Sequence, residues 1–262
     1  MRMEDLDHPR DKAGADKAAR EDLKWLGFDW DEEYVQSERK DKYRAALEKL
    51  KEKGLVYPCT CSRKDVLAAQ SAPHEGEQLY YGGTCRGKYD HWVEGACWRF
   101  KTAPGRVVEF DDAFCGRYRQ KTAEKLGDFP IARDEFGAGY TLAVVVDDAE
   151  MGVTEVVRGD DLLAATPAQI LLAEALELRV PEYCHLPLVI GEDGRRLAKR
   201  HGDSRISHYR ERGVKAEEIL GKLAYWSGWI DKCEQVSLKD LIGEFKLEKT
   251  KREPCVFRQN MI

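Results

Sequence analysis

Arg195, Arg196, Lys199, Arg200 and His201 fall within seven positions of the segment Gly191-Glu-Asp-Gly-Arg-Arg-Leu-Ala-Lys-Arg-His-Gly-Asp203. Gly191 and Gly194 supply a tight turn, and a glycine-bounded loop this basic suits a polyphosphate. Lysine acts there as a point charge and arginine as a fork. A solvated basic turn has the same composition, so the loop alone does not decide. A second group is sulfur-rich. Cys59 and Cys61 stand one residue apart, and Tyr81-Gly-Gly-Thr-Cys85 follows. Zinc takes four tetrahedral ligands, mostly thiolate or imidazole. Three come from Cys59, Cys61 and Cys85, with Tyr81, His74, His91 and Cys97 as candidates for the fourth; ordinary reduced cysteines are the competing reading. A third group opens the chain: Glu4, Asp5 and Asp7 beside Arg2 and Arg10. A carboxylate here suits an amino group, and a frayed charged terminus suits the composition equally.

These groups need elements to hold them. Ala15, Ala19, Leu23 and Leu26 share one face of a helix expected over residues 11–27, closed by Gly27. Tyr43, Ala46, Leu47 and Leu50 stripe a second helix over 39–53, with a loop between the two. Cys97–Lys101 and Val107–Phe110, around the turn at Pro104-Gly105, read as a hairpin. Phe129–Ile131, Tyr140–Val146 and Val153–Val157 read as strands, the second covered on both faces because its apolar run is unbroken. Asp147-Asp148 and Arg158-Gly-Asp-Asp161 then lie at strand ends, where α/β sheets place ligands. Thr166-Pro-Ala-Gln169 has a capping residue, a first-turn proline and a capping-box glutamine, so a buried helix is expected to Leu178. Leu186–Ile190 reads as a buried strand feeding the basic loop. Helices are expected over 207–213, 215–226 and 237–245. Buried strands alternating with helices argue an α/β fold.

Several motifs, taken in order, resemble the catalytic core of the class I glutamyl-tRNA synthetases. They are Met3-Glu-Asp-Leu-Asp7 with Arg10, Gln36-Ser-Glu-Arg39, Tyr57-Pro-Cys-Thr-Cys61, Tyr140-Thr-Leu-Ala-Val-Val-Val-Asp-Asp148, Val156-Val-Arg-Gly-Asp160 and Arg196-Leu-Ala-Lys-Arg200. The resemblance covers nearly the whole chain. It implies a Rossmann-like α/β catalytic domain with a small zinc-binding insert. A core without a large anticodon-binding region resembles the members that attach glutamate to queuosine of tRNA(Asp). The activity implied is ATP-dependent activation of glutamate without tRNA, then transfer of the glutamyl group to queuosine in the anticodon loop of tRNA(Asp). The alternatives are a core that charges the tRNA 3′ end and an inactive remnant that binds glutamate or tRNA.

By the same resemblance, Glu4 holds the glutamate amino group, and Tyr140 and Arg158 complete the amino-acid pocket. Lys199 is the catalytic and ATP-binding lysine of the mobile loop, where Leu197 and Ala198 replace the usual Met-Ser. Cys59, Cys61, Tyr81 and Cys85 are the Zn²⁺ ligands, and ATP is expected with Mg²⁺. The family opens with a strand, a Ser-Pro-type loop and a His-Ile-Gly-His-type helix that cradles ATP. No such signature occurs in these 262 residues, so an N-terminally incomplete core is expected. The layout implied is 1–54 as the remaining nucleotide-fold start, 55–96 as the zinc insert, 97–203 as the second half with its loop at 191–203, and 204–262 as a helical stem-contact region.

Composition sets the outer limits. Hydrophobic content of 42% and charged content of 35% fit a globular chain with a sizeable core. A net charge of -5 argues against non-specific nucleic-acid binding but leaves room for one basic face. No apolar run approaches the roughly 20 residues of a membrane span. The eight dispersed cysteines, without an export leader, suggest reduced thiols, and a cytoplasmic monomer is expected.

Overall fold

The computed structural model describes residues 1–6, 14–68, 80–135, 137–197 and 205–258. Asp7, Arg10, His74, Lys199, Arg200 and His201 lie outside these residues. The chain runs β1 (Arg2–Met3), α1 (Ala15–Trp25), β2 (Tyr34–Val35), a 3-10 turn at Gln36–Arg39 and α2 (Lys40–Glu52). Then come β3 (Val56–Cys59), α3 (Arg63–Ala68), β4 (Cys97–Phe100), β5 (Val107–Asp112), β6 (Gly116–Lys121), α4 (Thr122–Lys125) and β7 (Phe129–Ala132). The second half holds α5 (Tyr140–Glu150), β8 (Glu155–Gly159), a 3-10 turn at Asp160–Ala165, α6 (Thr166–Leu176), β9 (Glu182–Leu186) and β10 (Val189–Ile190). It ends with α7 (Ile206–Glu211), α8 (Ala216–Ser227), α9 (Leu238–Glu244), a 3-10 turn at Leu247–Lys249 and β11 (Cys255–Val256).

The strands form a mixed four-stranded sheet in the order β6-β5-β9-β8, an antiparallel sheet β3-β4-β7, and the parallel pairs β1-β2 and β10-β11. β8 and β9 run parallel, joined through α6, which is the βαβ crossover of an α/β fold. The main core lies between these sheets and the helices α2, α5 and α6. Leu47, Leu50, Ile131, Leu142 and Leu172 are fully enclosed there. A second core joins Leu26 beside α1 to Tyr209, Ile219, Leu220, Ala224, Leu241 and Phe257. The third gathers Tyr57, Cys59, Val66, Tyr81 and Cys85.

Three expectations about strands fail. Tyr140–Val146 is helix, not strand. Leu142 to Asp147 are all buried, so neighbours cover α5 on every side and its sequence shows no polar stripe. An enclosed helix and an enclosed strand read alike as one apolar run, and tertiary packing overrides the β preference of three consecutive valines. Cys97–Lys101 and Val107–Phe110 do not pair. β4 sits between β3 and β7, whereas β5 makes its hairpin with β6, six residues in unbroken register from Val107↔Lys121 to Asp112↔Gly116. Leu186–Ile190 is not one buried strand. β9 ends at Leu186, Pro187 follows, and half-buried β10 joins β11 in a separate sheet.

Candidate functional site

The carboxyl end of β1 delivers Glu4, the amino end of α5 delivers Tyr140, and the carboxyl end of β8 delivers Arg158. A pocket of about 230 Å³ is lined by Glu4, Leu6, Gln36, Arg133, Ala138, Gly139 and Tyr140. Arg2 fixes Glu4: its Nη2 donates to Glu4 Oε1 at 3.0 Å while its Nη1 donates to Asp148 Oδ1 at 2.6 Å. Burial pushes the Tyr140 phenol up, and the charge of Glu4 adds to this against the opposing fields of Arg158 and Arg2. Tyr140, Glu4 and Arg158 therefore share one electrostatic neighbourhood. Arg158 is held by two buried partners. Its Nε donates to His185 Nε2 at 3.0 Å and its Nη2 donates to Thr166 Oγ1 at 2.8 Å.

The wall of the pocket is set by a buried carboxylate. Asp147 on α5 is fully enclosed and accepts from Gln36 Nε2 at 2.9 Å, Arg39 Nε at 2.8 Å and the Tyr43 hydroxyl at 2.7 Å. Asp5 caps the same turn, accepting from the Ser37 N–H at 2.8 Å. The Gln36-Ser-Glu-Arg39 motif is thus a clamp that ties the ends of β1 and β2 to α5. Tyr43, read from sequence only as part of an apolar stripe, belongs to this network through its hydroxyl.

The sulfur group also assembles. The Sγ atoms of Cys59, Cys61 and Cys85 lie within 4.8 Å of one another, with Cys61 and Cys85 3.6 Å apart. The Tyr81 hydroxyl sits among them, 3.2 Å from Cys59 Sγ and 3.4 Å from Cys61 Sγ, and accepts from the Cys85 N–H at 2.9 Å. Cys97 stands opposite Cys59 across the β3–β4 register. Hydrogen bonds from Cys97 and Tyr81 outweigh burial and hold the Cys59 thiol well below its usual range. Tyr81 is brought in by Gly127, whose φ is +63°. A Cβ there would meet the Tyr81 carbonyl oxygen at 2.4 Å, so only glycine admits the approach. His91 is not part of the cluster.

The basic segment is described as far as Leu197. Gly194, with a φ of +72°, turns the chain, and Gly191 N–H bonds the Arg195 carbonyl at 2.8 Å. Arg196 Nη1 donates to Asp161 Oδ2 at 2.8 Å, so this loop reaches back to the turn after β8.

A model of the catalytic domain of class I tRNA synthetases for Glu and Gln matches residues 1–262. The chain belongs to the class I tRNA synthetase family. This synthetase core is 43% identical to a glutamyl-Q tRNA(Asp) synthetase of Symbiobacterium thermophilum, over 97% of this chain and 84% of that protein. It is 39% identical over its full length to a glutamate–tRNA ligase of Aquifex aeolicus, of which it spans 57%. In three dimensions it matches a crystal structure of a glutamate tRNA ligase from Elizabethkingia meningosepticum in complex with its amino acid. The TM-score is 0.81 and the identity 25%, over 99% of this chain and 60% of that one.

Sequence reasoning missed Arg2 as the residue that holds Glu4, and Arg133 in the pocket wall. It also placed Thr166 as a helix cap. Ala165 is the cap residue, and the Thr166 hydroxyl accepts from Arg158 and donates to the Leu162 carbonyl at 3.1 Å. His185 and Asp112 were not singled out at all. The signal available was a histidine between Cys184 and Leu186, after an exposed Glu182, in a strand whose remaining residues are apolar or aromatic.

Proposed function

We propose that this synthetase core activates glutamate with ATP and transfers the glutamyl group to queuosine in the anticodon loop of tRNA(Asp). The observation that carries the reading is the pocket lined by Glu4 and Tyr140, with Arg158 near enough for its charge to act on the Tyr140 phenol. The attacking carboxylate of glutamate must stay free, so an arginine serving this pocket reads the side-chain carboxylate, as a charge-assisted pair. Glu4, held by Arg2, pairs with the amino group, and the Tyr140 hydroxyl supplies a neutral hydrogen bond beside them. The free carboxylate attacks the α-phosphorus of ATP and pyrophosphate leaves, giving glutamyl adenylate; a hydroxyl of the modified base then attacks the acyl carbon, forming the ester and releasing AMP and a proton.

Lys199 would neutralise charge developing on the phosphates, and Mg²⁺ would accompany ATP there. Supporting the choice of acceptor are relatives named glutamyl-Q tRNA(Asp) synthetase, at 43–45% identity over most of the chain. Residues 55–96 are read as the zinc insert and 204–262 as the region facing the tRNA stem.

Cys59, Cys61, Cys85 and Tyr81 would hold a structural Zn²⁺. The fit rests on the donors themselves. Tetrahedral Zn–S bonds of 2.3 Å set sulfurs about 3.8 Å apart, close to the Cys61–Cys85 separation of 3.6 Å. When bound, the ion would staple the segment between β3 and β4.

Glutamate-dependent ATP–pyrophosphate exchange without tRNA tests the activation step. Exchange with glutamate and none with glutamine is expected. Tight glutamate binding without exchange would instead mark a non-enzymatic binding core.

A further inference from the structure

Behind Arg158 a file of buried side chains leads away from the pocket. His185 and Thr166 are fully enclosed and Asp112 nearly so. A guanidinium can only donate, so His185 Nε2, 3.0 Å from Arg158 Nε, must present a lone pair. The imidazole proton is then on Nδ1, which donates to Asp112 Oδ2 at 2.5 Å. Asp112 is itself pinned: its Oδ1 accepts from the backbone N–H groups of Phe114 at 3.0 Å, Cys115 at 2.8 Å and His185 at 3.1 Å. Burial alone would raise its carboxyl, but these donors and the His185 ring together hold it below the usual range, so it stays anionic.

We propose that Asp112 and His185 are positioning residues for substrate recognition. Asp112 sets the tautomer of His185, and His185 sets the orientation of the Arg158 guanidinium. This rests on the reading that Arg158 binds the side-chain carboxylate of glutamate. The arrangement limits how Arg158 can do so. Its Nε edge is taken by His185 and one N–H of Nη2 by Thr166. The N–H groups left without a partner among the described residues are those of Nη1 and the second on Nη2. These form the end of the fork, and a carboxylate is read bidentately there and nowhere else on the group. The histidine tautomer is the control point, because the opposite tautomer would set an N–H against the Arg158 Nε–H.

Calorimetric titration with L-glutamate and L-glutamine, on the whole chain, tests this. Asp112→Asn keeps the shape but no longer demands a proton on Nδ1. His185→Phe removes the acceptor, whereas His185→Gln offers an amide oxygen to Arg158 and an amide N–H to Asp112. Asp112→Asn and His185→Phe are expected to weaken glutamate binding about 10- to 100-fold. They should narrow the preference for glutamate over glutamine by the same factor, and His185→Gln should restore most of it. Should Asp112→Asn or His185→Phe fail to fold, Thr166→Val reads the second anchor of the guanidinium and should cost several-fold in glutamate binding alone. Unchanged glutamate binding in these variants, or an equal loss for glutamate and glutamine, overturns the inference. Wild-type chain that binds glutamate no better than Arg158→Met overturns the reading beneath it.

Discussion

Arg158 carries the substrate reading at the scale of single residues. Lysine keeps the charge but loses the fork, so Arg158→Lys is expected to raise the glutamate KM about 10- to 100-fold in pyrophosphate exchange. An unchanged KM would place the carboxylate elsewhere. Asp112 makes a separate claim, about pH. Its folded value is lowered, with burial outweighed by its N–H donors. Its contribution to stability is then fully present above the unfolded carboxylate value of about 4, and fades as pH falls through the lower folded value. The stability gap between wild type and Asp112→Asn, from urea melts, should hold steady from about pH 8 to pH 5 and close below about pH 4. A gap that persists at lower pH would mean the carboxyl is not ionised in the fold.

At the scale of elements, the turn at Gln36–Arg39 and α5 are one unit through Asp147. Removing that carboxylate leaves Arg39 without its buried partner, so Asp147→Ala should cost about 3–5 kcal/mol in urea unfolding. Tyr43→Phe, which removes one hydrogen bond, should cost about 1 kcal/mol. Equal effects would mean the network is not centred on Asp147. Much of this was legible in the chain: the helix stripe of Tyr43, Leu47 and Leu50, the β8–α6 succession and the local turn at Gly194 all follow from periodicity and turn chemistry, whereas β9 was not, its strand being expected over Leu186–Ile190. The type of α5 was not, because a helix enclosed on every side has no polar face to set its period. Nor was the partner of β5, since β4 and β5 belong to different sheets and local sequence does not encode which strands pair. The His185–Asp112 contact joins residues far apart in sequence, and no local pattern encodes it. Cys59, Cys61 and Cys85 were readable as a group from spacing alone; Tyr81 entered as one of four candidates.

For the whole molecule, none of the described helices is long and apolar enough to cross a membrane. Stability instead depends on three cores, one of them built around the cysteines. One zinc per chain is expected by elemental analysis, and a strong chelator should lower the melting temperature; a metal-free chain with the same melting temperature would contradict a structural ion. Gly127→Ala should weaken that metal binding, since the new methyl would displace Tyr81. The acceptor of the glutamyl group is the most direct test of the account. Labelled glutamate, ATP and tRNA(Asp) are incubated with the protein, and the tRNA is cut by nuclease into acceptor-end and anticodon fragments. The expected result is alkali-labile label in the anticodon fragment, only when queuosine is present. Label at the 3′ end would contradict the proposed acceptor and make the chain a tRNA-charging core.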